Sequence, residues 1–539
     1  MRITLSNFSG VAPKVSPFIL EPNQAQVANN TRLWSGVLEP LPSSSSVKTG
    51  LNVLTESIYR FGQDTPGDTN YWFSWAKPVH VVKGPIAGDT TERTYFTGDS
   101  YPRVTDNSVA LSSSPYPGAS YRLGIPAPAL APYVVVNGAA STTEAIETRA
   151  YVYTYVSAWG EEGMPSDPTP VDMYPATQTT TITFGTIPTG NYNLQTKRIY
   201  RSFTSASGTN YFFVAEVPVA QTTFTDNIGS TSLGESIPSM SWAMPPDDMI
   251  GLIALPNGFL AGFKGRDIYF SESYRLHAWP EEYIQSVDYP ILGLAQFGQN
   301  VVVLTTGSPY MLTGTDPASM TLETLNFAQA CVSAKSISRL GPGVVYSSPD
   351  GLAYVGPDGM SIITEALFTR KEWQALNPSS IVGAEHDGRY YGFYDTGTVK
   401  AGFILDPKSA NSSFIFNSLH YTGLYNDLRN DALYGIKQGV ISKIEGGTSP
   451  LSYTWRSKLF SLPKPTSFSA WQVVAADYAS ITVKFYLDNV LIHSASVASN
   501  DVLRLPSDTR GRNLEIEVTG TSKVVAVHIA TSVEELRNV

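Results

Sequence analysis

One pattern returns five times between Leu252 and Gly447, and it restricts the fold more than any other feature of the 539-residue chain. Each round opens on an apolar residue in a strand-like pentad: Leu252, Leu294, Ile337, Val382 and Leu424, spaced 42, 43, 45 and 42 residues apart. A turn signal follows, such as Asn257-Gly258, Gly341-Pro342-Gly343 or Asp387-Gly388, then a second strand (Phe259 to Phe263, Val301 to Thr305, Val344 to Ser347, Tyr390 to Tyr394, Ala432 to Ile436). A second turn leads to a third strand, for example Asp267 to Phe270 or Leu352 to Val355. Gly and Asn-Gly or Asp-Gly pairs supply the positive φ of tight hairpins. A strand–turn–strand–turn–strand unit at a period of about 40–50 residues predicts a β-propeller blade. Unrelated hairpins in a β-sandwich would show the same turns but not five near-constant spacings.

The rest of the chain is read around this run. Residues 1–50 form an N-terminal arm with little alternation, ending in Pro42-Ser43-Ser44-Ser45-Ser46, a loop by composition. Residues 51–132 hold first propeller strands and a linker: strand signals at Ile58 to Phe61, Tyr71 to Trp75, Val79 to Val82 and Thr94 to Thr97, then a proline-punctuated stretch over 105–132. Closing a propeller by pairing early with late strands would remove exposed sheet edges. Residues 133–231 read as an inserted fibronectin-III or immunoglobulin-like sandwich, with Tyr151, Tyr153 and Tyr155 on one face of a long strand and no Cys pair. Residues 232–450 carry the main propeller repeats, and 451–539 a C-terminal β-sandwich-like domain with a turn at Asp488-Asn489. The fold class is therefore all-β. Ser532 to Arg537 is the one short helical candidate.

Charge narrows the partners. Lys and Arg number 36 against 46 Asp and Glu, a net charge of −10, with no basic block. A surface that grips nucleic acid draws its affinity from Lys and Arg. A wall past which DNA slides is better served by net negative charge. The single cysteine, Cys331, excludes an intrachain disulfide and reads as a small buried residue. Met1 to Ser6 lacks a signal peptide's apolar core, and the longest apolar run, Pro126 to Val136, is short of the ~20 residues of a membrane helix, so no membrane insertion is expected.

The residues that carry chemistry elsewhere are sparse or badly spaced. His80, His277, His386, His420, His493 and His528 never fall at metal-ligand spacing. Ser348-Pro349-Asp350-Gly351 and Gly356-Pro357-Asp358-Gly359 read as Pro-Asp-Gly turns. The carboxylate pairs Glu161-Glu162, Asp247-Asp248 and Glu281-Glu282 are sequence neighbours, which point to opposite faces of a strand. Aromatic clusters at Tyr71-Trp72-Phe73, Tyr211-Phe212-Phe213 and Tyr390-Tyr391 suit strand cores first. No catalytic, cofactor-binding or metal-binding residue is expected, and the chain is read as a non-enzyme.

Several segments in order along the chain resemble the β-propeller tail proteins of bacteriophages, which include tail nozzles and tubular tail proteins of short-tailed phages. They are Ala25 to Asn30 with Gly36-Val37-Leu38; Tyr121 to Pro128; Pro256 to Phe263; Ser271 to Tyr274 with His277 to Pro280; and Arg504-Leu505-Pro506 with Ala530 to Leu536. The resemblance implies a structural virion protein in the tail, assembled in the host cytoplasm as a homo-oligomeric ring, a hexamer by family. It implies a tail adaptor above, fibres or a plug below, and DNA passing through the lumen without specific binding. It brings no catalytic residues. The alternative is a tail protein that recognises a host-surface glycan.

Overall fold

The computed structural model describes residues 1–62, 71–86, 88–205, 208–408 and 413–537, and they form an all-β molecule of many small antiparallel sheets. The five predicted rounds are five sheets, at 250–286, 291–324, 338–362, 382–417 and 423–443. Their second strands are Phe259–Lys264, Asn300–Thr305, Gly343–Ser347, Arg389–Asp395 and Ala432–Lys437, each almost wholly buried because it lies between two neighbours of its own sheet. Asn257 and Gly258 both hold positive φ (68° and 75°), as do Asp387 and Gly388 (51° and 74°). That is the backbone a two-residue hairpin turn demands.

Each round also has a fourth strand beyond the predicted three. Gln285–Ser286, Thr321–Thr324, Gly359–Ile362 and Ser413–Asn417 complete the first four sheets. The fifth takes its fourth strand, Ser45–Lys48, from the other end of the chain, paired antiparallel to Val440–Lys443. The serine run expected to be a loop is thus partly a strand, because an edge strand is held by its backbone and makes little use of its side chains. Two more sheets lie at 57–75 and 80–122. The stretch expected to be a linker from 105 belongs largely to the latter: Asp106 caps a short helix, Asn107–Ala110, and Tyr121–Arg122 pairs with Arg103–Thr105.

The opening strands of these sheets are neighbours. Ile250–Leu255 touches Ile291–Phe297, which touches Ser338–Leu340; Val382–His386 lies between Ser338–Leu340 and Gly423–Asp427; Gly423–Asp427 meets Ser57–Phe61. Phe61, Phe73 and Trp75 share one apolar cluster with Phe96 and Val81 of the 80–122 sheet, and His80–Lys83 in turn lies against Ile250–Leu255.

The first residues of the chain are built into sheets formed by its later strands. Arg2–Ser6 pairs with Val524–Ala530, and Ala25–Asn29 is seated between Ser413–Asn417 (parallel) and Tyr453–Ser457 (antiparallel). That second insertion fuses the 382–417 sheet with Tyr453–Ser457, Gly511–Gly520, Ile481–Leu487 and Val490–Ser496 into one ten-stranded sheet. Opposite it, Ala470–Ala475 and Val524–Ala530 complete a C-terminal sandwich, whose core holds Trp455, Trp471, Phe485, Ile516 and Val527. Asp488 and Asn489 turn at positive φ as expected, while the helical candidate near the end is a single 3-10 turn, Glu534–Leu536.

Residues 133–226 form a separate sandwich of three and four strands. Tyr151, Tyr153 and Tyr155 fill its core. The other face of the same strand, Val152, Thr154 and Val156, is buried as well, beneath the segment that carries Glu162. The first strand, Tyr133–Gly138, lies beside the fourth, Gln178–Thr183.

Candidate functional site

A cavity of about 710 Å³ opens where four of the sheets present their first strands, beside the entry to the 338–362 sheet. Ile58, His80, Val382 and Leu424 come from those strands, Asp395 and Lys400 from the facing ends of Arg389–Asp395 and Lys400–Asp406, and Lys335, Ile337 and His420 from the connections beside them. Period-2 alternation gives each short strand only one or two side chains to point inward. The wall is consequently a mosaic of residues distant in sequence.

Its charges are neutralised in place. Lys335 Nζ binds Glu56 Oε2 at 2.8 Å and donates to the Thr422 carbonyl oxygen at 3.4 Å, tying the 338–362 edge to the start of the 423–443 sheet. Lys400 Nζ binds Asp395 Oδ2 at 2.9 Å and, by that hydrogen bond, holds the Asp395 carboxyl below the usual range. Burial lowers the pKa of His80, and burial with Lys400 and Lys437 nearby lowers that of His420, so both imidazoles are neutral at pH 7. His80 Nδ1 is buried without a hydrogen-bond partner among the described residues. General acid–base catalysis by two carboxylates needs their affinities for protons pushed apart. Glu56 and Asp395 are each engaged by a lysine, an arrangement that braces loops. Among the described residues, no three His, Cys, Asp or Glu side chains converge as a metal site would require.

The other residues singled out from the sequence are dispersed. Cys331 is buried with Val302, Leu304 and Tyr346, its thiol pushed up to about 12 by burial, which makes it inert. Ser348 closes its turn by donating Oγ to the Gly351 carbonyl, and Asp350 accepts from Gln329 and pairs with Arg370. Asp247 and Asp248 hold different partners, Arg122 and Lys264. His493 stacks near Phe485 and Trp471, and His528 faces Arg2 and Thr4. Trp72, Phe73, Tyr390 and Tyr391 are core residues. Spacing along the chain did not reveal that His80 and His420 share a cavity, because neither lies within a local motif.

No family model and no curated protein matches the sequence. Among solved structures, the chain is similar to an exo-β-1,3-galactanase from Phanerochaete chrysosporium at 7% identity and a TM-score of 0.18, over 90% of this chain and 99% of that one. It is also similar to PorZ, a surface component of the type-IX secretion system of Porphyromonas gingivalis, at 12% identity and a TM-score of 0.24, over 88% of this chain and 70% of that one. Superpositions that loose transfer neither fold nor activity.

Proposed function

We propose that the seven small sheets are blades of one closed propeller and that the protein is a structural component of a short-tailed phage tail, a nozzle-like ring through which DNA passes. The circuit of neighbouring first strands, running from 250–286 round to 80–122 and back, supports the closure.

The observation that carries the functional reading is where the phage-like segments lie: most of them sit at seams. Ala25–Asn29 joins a blade to the C-terminal sandwich, and Leu38 exchanges two backbone hydrogen bonds with Val524 (3.0 and 2.9 Å). Gly124 lies where a Cβ would meet Met244 and Pro245, at the crossing into the inserted sandwich. His277 donates its Nε2 proton to the Glu162 carbonyl oxygen (3.1 Å) across the same junction. Thr531 and Glu535 hold the N-terminal ammonium. Residues concentrated at seams fix how rigid bodies sit on one another, which is what a load-bearing conduit needs and what a freely articulated binder does not. In this reading the ring contacts a tail adaptor on one side and fibres or a plug on the other.

Single-particle imaging and mass measurement of the full-length protein, alone and in purified tails, test the reading. A closed ring with a net acidic or polar lumen is expected. A lumen lined by Lys and Arg and clasping DNA would overturn the conduit, and a monomer that selects a glycan would favour the receptor-binding alternative.

A further inference from the structure

A second cavity, of about 330 Å³, lies at the junction of the inserted sandwich with the 80–122 and 250–286 sheets. Its size is at the lower end of ligand sites, and junctions between domains are where such sites concentrate. Its chemistry is unlike that of the larger cavity. The Arg275 guanidinium lies 4.4 Å from the centre of the Trp242 ring, exposed, with no hydrogen bond or ion pair to any described residue. Trp242, itself buried, fixes the plane of that guanidinium. The neighbouring cations are committed: Arg93 lies over Trp159 and reaches Glu161 (3.4 Å), and Arg198 is held by Glu162 (2.9 Å) and Glu216 (2.8 Å).

The rim supplies a ring-sized apolar face. Tyr274 is 66% exposed although its backbone is pinned at a φ of 58°, its N–H donating to the Gly258 carbonyl at 2.7 Å. Its ring lies over Gly258, where any Cβ would come within 2.6 Å of it. Ile86, 58% exposed, stands on the same rim. Strained left-handed backbone at a non-glycine residue is characteristic of ligand clamps.

We infer that this cleft binds an acidic saccharide, its carboxylate on the Arg275 fork and a sugar ring against Tyr274. A planar guanidinium suits a carboxylate or a phosphate bidentately. The count of charges decides between them. With Arg93 paired to Glu161 and Arg198 to Glu162, the one uncommitted cation, Arg275, shares the wall with a third carboxylate, Asp89, which repels a dianion but accepts hydrogen bonds from the hydroxyls of a singly charged polyol. The positive field around Arg275 and Arg93 is felt by His277, where it adds to burial in lowering the imidazole pKa.

The inference is independent of ring formation, and the test can be run on whatever oligomer the full chain forms. Methyl glucuronoside and N-acetylneuraminic acid are titrated by calorimetry and Trp fluorescence against methyl glucoside and inorganic phosphate at fixed ionic strength. The acidic sugars are expected to bind at least about ten-fold more tightly than the neutral one, the scale of one charge-assisted hydrogen-bonded pair. Arg275→Ala should erase that preference with an unchanged melting curve, and Arg275→Lys should restore it only in part. Tyr274→Ala should weaken acidic and neutral sugars alike. Equal binding of acidic and neutral sugars, phosphate competing as well as the acidic sugar, an indifferent Arg275→Ala, or no binding at millimolar concentration would each overturn the inference.

Discussion

At the scale of single residues, the inserted sandwich rests on a buried ion pair. Arg201 Nη1 binds Asp226 Oδ2 at 2.6 Å with both side chains fully buried, and Tyr151 donates its hydroxyl to the same oxygen at 2.7 Å. Removing one member leaves the other charged in a dry core, so Asp226→Ala should cost about 3–5 kcal/mol. Arg201→Met combined with Asp226→Leu should cost much less than the sum of the single changes. Equilibrium urea unfolding measures both, and a single-variant loss below about 1 kcal/mol would refute the argument. His277 makes a pH prediction. Burial, with help from Arg275 and Arg93, lowers its pKa from 6.5 to about 4. The folded state therefore binds fewer protons than the unfolded one, and the stability tied to neutral His277 is complete above pH 6.5 and lost as pH falls towards 4, about 3 kcal/mol in all. Glu161 works in the opposite sense, because burial raises its pKa and folding there favours the protonated form. His277→Gln, which keeps a donor for the Glu162 carbonyl, should flatten the acid limb of stability between pH 6.5 and 4. An unchanged slope in urea titrations across that range would count against the assignment.

At the scale of elements, the anchoring of the N-terminal residues depends on Trp455. The indole donates to the Ser9 carbonyl at 3.0 Å, and Phe8 meets its face edge-on at a centroid distance of 4.9 Å. Trp455→Ala should cost about 3–5 kcal/mol by leaving a cavity, and should open the arm to trypsin at Lys14, with Trp455→Phe intermediate. Wild-type resistance at Lys14 in the Ala variant would show that strand pairing alone holds the arm. This element also marks how far the sequence could be read. Second strands such as Phe259–Lys264 and Arg389–Asp395 announce themselves, because continuous apolar runs sit between Asn-Gly, Asp-Gly or Lys-Gly turns. Fourth strands do not: Gln285–Ser286 has two residues, and Ser45–Lys48 is serine-rich and mostly exposed, so backbone pairing leaves no trace in side-chain pattern. The same limit hid the two cavities. Each is built from single residues of many elements, such as His80 with His420 or Arg275 with Glu161, whose meeting depends on how sheets are arranged around one another.

At the scale of the whole molecule, the proposed ring asks for a surface that buries at least ~1,200–2,000 Å² between copies, repeated by a rotation that closes. A ring whose neighbours touch through a much smaller area would not hold against flowing DNA, so the imaging described above should find contacts of that size or larger. Stiffness within each copy comes from the ten-stranded sheet, which runs from Val382–His386 through Ala25–Asn29 to Val490–Ser496 without a break.

That threading has a consequence for synthesis. Arg2–Ser6, Ala25–Asn29 and Ser45–Lys48 leave the ribosome about 400 residues or more before their partners Val524–Ala530, Tyr453–Ser457 and Val440–Lys443. Pairings so distant in sequence form slowly. A chain cut short anywhere before about 530 leaves at least one sheet edge open, and open edges attract proteases, chaperones and aggregation. Threading early strands among late ones thus acts as an inspection: a chain that stops short betrays itself by the edge it leaves unpaired.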